Sequence, residues 1–177
     1  MLSIKPKLFR LGLAASMLLA LGGCAMSTPA NVGSIGGVEI PAGVYLLAQY
    51  NSYNTASGLA DLATGETAND VKTVLKAQCT GTINGEEVTT DGADYISQLT
   101  SHAIEYYAAV EKEFDALGGV LDDAATAEAA NSADSLWHSN GALYTANGIS
   151  QSTVETSQQN AQKPKARLDF HSRATGT

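Results

Sequence analysis

Positive charge is scarce through most of this chain. Ten of its 177 residues are lysine or arginine, and between Arg10 and Lys163 only Lys72, Lys76 and Lys112 occur, against nearly all of the 18 acids. A middle section of that sign repels phosphate backbones, which disfavours nucleic acid as a partner and predicts a soluble surface with weak self-association at neutral pH. An acidic face also attracts basic unfolded segments, although a solvated face without a partner is the simpler expectation. Histidine is sparse too: His102, His138 and His171 stand apart, none at i, i+4 or in a metal-ligand spacing. The acid pair Glu86-Glu87 falls in a turn without a histidine or third acid nearby, so it reads as solvated, and no metal or cofactor is expected. The two cysteines, Cys24 and Cys79, are too few for a disulfide framework. A long hydrophobic run is missing as well: residues 11–21 (LGLAASMLLAL) fall short of the roughly 20 residues a bilayer span needs.

That short run follows Lys5, Lys7 and Arg10, and the two together have the form of a secretory signal over residues 1–23. The sequence Leu21-Gly22-Gly23-Cys24 resembles the bacterial lipobox. The resemblance implies a lipoprotein: diacylglycerol in thioether linkage to Cys24, a mature chain beginning there, and an extracytoplasmic protein held at a membrane by several acyl chains. Residues 24–31, small, polar and containing Pro29, then form a tether. Cys79 is left without a partner and is expected to be a small packing residue or a tolerated free thiol.

The longest helical signal is residues 91–117. Ile96, Leu99, Ala103, Tyr107, Val110, Phe114 and Leu117 recur at steps of three and four, the pattern of one helix face. Asp91 is placed to cap its start, with Asp94 in the first turn, and Gly118-Gly119 marks its stop. Before it, Gly36-Gly37 between Ile35 and Val38 predicts a small β-hairpin, and Pro41 opens a first helix to about Leu62 carrying Val44, Leu47, Tyr45, Tyr50 and Tyr53. Residues 64–70 read as a break, 71–79 as a short helical or irregular piece, and 83–88 as a tight turn. After Gly119, Asp122 is a plausible cap for an alanine-rich helix to about Trp137, which plugs the core edge, with a loop over 139–148. Ser150 is placed to cap a last helix, but beyond Val154 the apolar face fades, so residues 155–177 are expected to be a disordered polar and basic tail. The fold expected is mainly α: a small N-terminal β-hairpin, then three to four helices around the long central one, over residues 32–154.

In this order the pieces resemble the N-terminal chaperone domain of the SurA/PrsA-type foldases, particularly the lipoprotein members that carry a parvulin-type prolyl isomerase downstream. Residues 32–41 are similar to that family's opening V-x-V-N-G-x-x-I-P, Ala109 to Gly119 (AVEKEFDALGG) to its EKEFDRLGL, and Asn147-Gly148-Ile149-Ser150 to the N-G-x-S that starts its last helix. The family usually has acids where this chain has Ala124-Ala125, and its last helix carries large apolar residues that are missing after Ser150. On that comparison the sequence reads as a truncated or frameshifted member. The resemblance implies a membrane-anchored module binding unfolded or nascent secreted proteins in grooves between helices, with Tyr107, Val110, Phe114, Leu117 and Trp137 as substrate contacts. A prolyl isomerase by family association and a structural remnant are the alternatives. The histidines offer no isomerase constellation, and a Cys79–His102 nucleophilic pair lacks any supporting motif.

Overall fold

The computed structural model describes residues 30–175, with side-chain environments described as far as Ala166. Cys24, the signal segment and nearly all of the tether lie outside the described residues. The described part is mainly helical, with five helices preceded by a small antiparallel strand pair. Strands β1 (Asn31–Ile35) and β2 (Val38–Pro41) pair with Ile35 opposite Val38. The turn falls on Gly36 and Gly37, both at positive φ (60° and 90°), as a tight two-residue hairpin requires.

Helix α1 (Ala42–Leu59) starts directly after Pro41 without a side-chain cap. Instead, the Ala42 N–H donates to the Ala30 carbonyl at 2.9 Å, so the chain entering the hairpin satisfies a free helix donor. No single face of α1 is apolar, because different residues along it serve three separate cores. Val44 packs with Ile40, Ile104 and Ala108; Leu47 with Ala133, Tyr144, Ile149 and Val154; Ala56 with Val74, Cys79, Ile83, Tyr95 and Ile96.

The helix ends three residues before Leu62. Ala60 turns extended, and the two-residue strand β3 (Ala60–Asp61) pairs with β4 (Gln78–Ile83) through Ala60 opposite Cys79. Between them lies α2 (Val71–Lys76), capped by the Asp70 carboxylate, which accepts from the Lys72 N–H at 3.3 Å. The expected tight turn at 83–88 joins two strands that the sequence did not announce. β4 and β5 (Glu86–Asp91) form a hairpin with Asn84 and Gly85 at φ 53° and 80°, completing a three-stranded sheet in the order β3-β4-β5. Alternation in β4 is faint because Gly81 occupies an inward position: a Cβ there would stand 2.3 Å from the Tyr95 hydroxyl. Tyr95, reaching in from the next helix, fills the space that a strand side chain would otherwise occupy.

Helix α3 (Gly92–Ala116) has the termini expected. Asp91 accepts from the Asp94 N–H at 2.9 Å, and Gly118 at φ 62° closes the far end, with the Gly119 N–H donating to the Phe114 carbonyl at 2.9 Å. Its buried face is turned from the expected stripe. Of that stripe Ile96 and Phe114 are buried, joined by Tyr95, Thr100, Ile104 and Ala108, whereas Leu99, Ala103, Tyr107 and Val110 form a half-buried flank and Leu117 is exposed. The cause is packing on α1 along rows four residues apart, which drift around the helix relative to a three-and-four stripe.

Helix α4 (Asp123–Ala146) is capped by Asp122, which accepts from the Ala125 N–H at 2.8 Å. It runs straight through the loop expected at 139–148. Gly141 does not break it; a Cβ there would lie 3.1 Å from the Trp137 ring, so the indole lies close against this glycine. The stop comes at Asn147-Gly148, where Gly148 takes φ 73° and the Ile149 N–H donates to the Tyr144 carbonyl at 2.9 Å. Ser150 then caps α5 (Gln151–Thr175) by accepting from the Thr153 N–H at 3.2 Å.

Helix α5 corrects the expectation of a disordered tail. The stretch after Val154 lacks an apolar face of the usual kind, yet it is helical, and Asn160 and Gln162 are buried at 6% exposure each. Its burial rests on polar partners supplied by α3 and α4, which no local pattern encodes. Near its start α5 crosses α1 closely, because a Cβ on Gly43 would fall 2.1 Å from the Thr153 hydroxyl oxygen. Gly43→Ala is therefore expected to lower stability by about 1–3 kcal/mol, the usual cost of overpacking. Denaturant unfolding checks this, and adding Thr153→Ala should recover part of the loss; equal stability of Gly43→Ala and the parent would refute the close crossing.

Candidate functional site

Four of the five candidate contact residues lie along one half of α3. Tyr107, Val110 and Phe114 share a flank of the helix, and Leu117 follows at its end. The fifth, Trp137, is elsewhere: it stacks on Tyr144 with ring centroids 6.2 Å apart, and Tyr144 in turn meets Tyr50 edge-on at 5.5 Å. It packs at the border of the core between α1, α4 and the start of α5, as the plug expected, and does not join the α3 stripe.

The stripe is partly roofed by α5. The Asn160 side-chain amide donates to the Tyr107 carbonyl at 3.3 Å and to Glu111 Oε1 at 2.8 Å. The Lys163 ammonium pairs with Glu111 Oε2 and stands 5.3 Å over the centroid of the Phe114 ring. Both ions are largely withdrawn from water, at 16% and 17% side-chain exposure, so this pair is screened far less than a surface bridge. Phe114, only 7% exposed, lies between that ammonium and the backbone of Gly119, where a Cβ would approach its ring to 2.7 Å. A second link, Lys165 to Glu128 at 3.1 Å, has both partners more than half exposed and contributes little. The Glu128 carboxyl is still held below its usual range by hydrogen bonds from Lys165 and then Gln162.

Beyond Phe114 the roof ends. Leu117 is 38% exposed and Val120 85% exposed in the turn between α3 and α4, so the apolar stripe emerges there unpacked. Two broad surface hollows occur elsewhere. One of about 440 Å³ is lined by charged residues beside α2, including Asp61, Glu66, Asp70, Lys72 and Lys76. The other, about 690 Å³, lies over α4 and is lined by small and polar residues with Leu136. The first is mainly polar, and the second mixes polar and apolar surface about evenly.

The thiol of Cys79 is fully buried and donates toward the Ala56 carbonyl at 3.5 Å. Burial, and then the charge of Asp91, pushes it up from the usual thiol range, the reverse of what a nucleophile needs. Cys79 therefore has the packing role expected of it. Among the described residues no three of His, Cys, Asp and Glu stand together as a metal site, and no helix is long and apolar enough to cross a membrane.

Glu111, Asn160 and Lys163 are the site residues that sequence reasoning missed. Their partners are 49 to 53 positions apart in the chain, outside the reach of any periodicity. The one available signal was an acid, Glu111, beside an otherwise apolar flank. Compared with known proteins, the chain matches no family model, no curated protein and no solved structure.

Two outcomes follow from these environments. Cys79 should react with a thiol reagent only as fast as the fold opens, and prompt labelling located at Cys79 by peptide mapping of the native protein would contradict its burial. Tyr107 has its hydroxyl pushed above the ordinary 10.0, by burial first and then by Glu111, and burial also raises Tyr45 and Tyr144. The folded state thus favours the neutral phenol. That stabilisation is complete below about pH 10, the unfolded value, and is lost as pH rises through the higher folded values. The melting temperature should fall above that pH, and less steeply in Tyr107→Phe; identical slopes would refute the assignment.

Proposed function

We propose that the chain is a lipid-anchored, extracytoplasmic helical module that binds unfolded secreted polypeptides, on the pattern of the SurA/PrsA-type N-terminal domain. The observation that carries this reading is the open end of the α3 stripe, where Leu117 and Val120 remain exposed beside the buried ring of Phe114. Covering Val120, 85% exposed, is worth about 1.5–2 kcal/mol when complete, and covering the remaining 38% of Leu117 about 0.5–1 kcal/mol. Such a surface suits weak, sequence-tolerant capture of extended apolar segments. The lipobox at Cys24 and the order of hairpin, first helix, long helix and Asn147-Gly148-Ile149-Ser150 support the same reading. The acids that flank the stripe, including Asp115, Asp122 and Asp123, favour segments that carry lysine or arginine beside their apolar residues.

The test is aggregation of a chemically unfolded secreted protein, followed by light scattering with the full chain held in lipid nanodiscs. Suppression is expected at several-fold excess of the module. Leu117→Ser with Val120→Ser should abolish most of it while lowering folding stability by about 0.5 kcal/mol at Val120 and about 1–2 kcal/mol at the partly covered Leu117. A parent protein that leaves the scattering unchanged would sink the proposal.

A further inference from the structure

We infer that the C-terminal half of α5, residues 158–166, is a displaceable cover over residues 107–114 of α3, lifting when an extended apolar polypeptide segment extends inward from Leu117 and Val120. This rests on the polypeptide-binding reading above and adds its regulation.

The two halves of α5 are held differently. The first is fixed by apolar and close contacts: Val154 is 1% exposed in the core with Leu47 and Tyr144, and Thr153 sits against Gly43. Past Val154 the residues through Ala166 offer no large aliphatic or aromatic side chain. What holds that part is polar: to α3, Asn160 at the Tyr107 carbonyl and Glu111, and Lys163 at Glu111 and the Phe114 ring; to α4, Lys165 and Gln162 at the exposed Glu128. Polar contacts of this kind exchange for water with small net loss, whereas apolar packing does not.

Pro164 weakens the same turn. Inside a helix it has no N–H to donate four residues back, so the Asn160 carbonyl lacks that bond, and the ring crowds it. The residue whose side chain clamps α5 to α3 is therefore also where the α5 backbone is least supported. Opening leaves no stranded charge, because Glu111 and Lys163 both return to water when the cover lifts. It uncovers the ring of Phe114, which adds to the exposed apolar surface of Leu117 and Val120. Elements drawn from the low-stability end of a fold are the ones able to move in this way.

The experiment uses the full chain in lipid nanodiscs and a fluorescent peptide of alternating leucine and serine. Hydrogen exchange should become several-fold faster across residues 158–166 when the peptide binds, while residues 107–120 become slower. Asn160→Ala with Lys163→Ala removes the clamp and should bind the peptide roughly tenfold more tightly, since the open form is no longer rare. Glu111→Met with Lys163→Leu replaces the clamp by apolar packing and should bind roughly tenfold more weakly. The cover is overturned if bound peptide leaves exchange at 158–166 unchanged or slower and the unclamped variant binds no more tightly. Should Leu117→Ser with Val120→Ser still abolish binding in that case, the binding reading stands without the cover. If the parent and the unclamped variant both fail to bind, the two fall together.

Discussion

The contact between α1 and α3 is the one on which the remaining elements depend. Helix α3 has 25 residues, a length of about 37 Å at the usual rise, and no single neighbour covers it. Its first turns bury Tyr95 and Ile96 against the three-stranded sheet and α2, its middle lies along α1, and its last turns meet β2 and α5. Helix α1 makes this arrangement continuous, because Val44, Leu47 and Ala56 each belong to a different core. The described part is thus held by three small cores strung along α1, two of them shared with α3. A fold of that kind can be secure at one end while the other end opens.

The cores differ in what they exclude. The one around Tyr95 and Cys79 is closely fitted, with Gly81 and Gly92 allowing other groups to approach where a side chain would collide. The one around Tyr144 is built from aromatic rings meeting edge-on and stacked, with Trp137 at its border. At the outer end of α3, apolar burial gives way to a polar clamp. Glu111 there faces Asn160 and Lys163, and the apolar flank it interrupts continues to the exposed Leu117 and Val120. The change from fitted core to exchangeable polar contact along one helix is the physical basis for the binding proposed at that end.

Much of the fold was legible because its signals are local. Asp91, Asp122 and Ser150 cap the helices they precede, and Gly118 and Gly148 end helices in the left-handed conformation that glycine accepts without strain. The Gly36-Gly37 hairpin follows from the same rule. Gly141 misled because a glycine inside a helix is read as a break, whereas here it accommodates an indole from the preceding turn. The β4–β5 hairpin was missed because Tyr95 fills the inward position that Gly81 leaves empty. Of the candidate site, the stripe was visible in outline, but Trp137 belonged to another core and the clamp residues were invisible.

The sequence by itself determined where helices begin and end, since a cap is a bond between a side chain and a backbone group within a few positions. It also determined that α3 would carry a face needing cover. Only the tertiary structure decided which face that is, because the drift of packed rows along α1 turned it toward Thr100 and Ile104. It decided as well that the polar segment after Val154 would be a helix. A polar helix has no reason to form alone, and this one forms where Glu111, brought near only by folding, meets the side chains of Asn160 and Lys163.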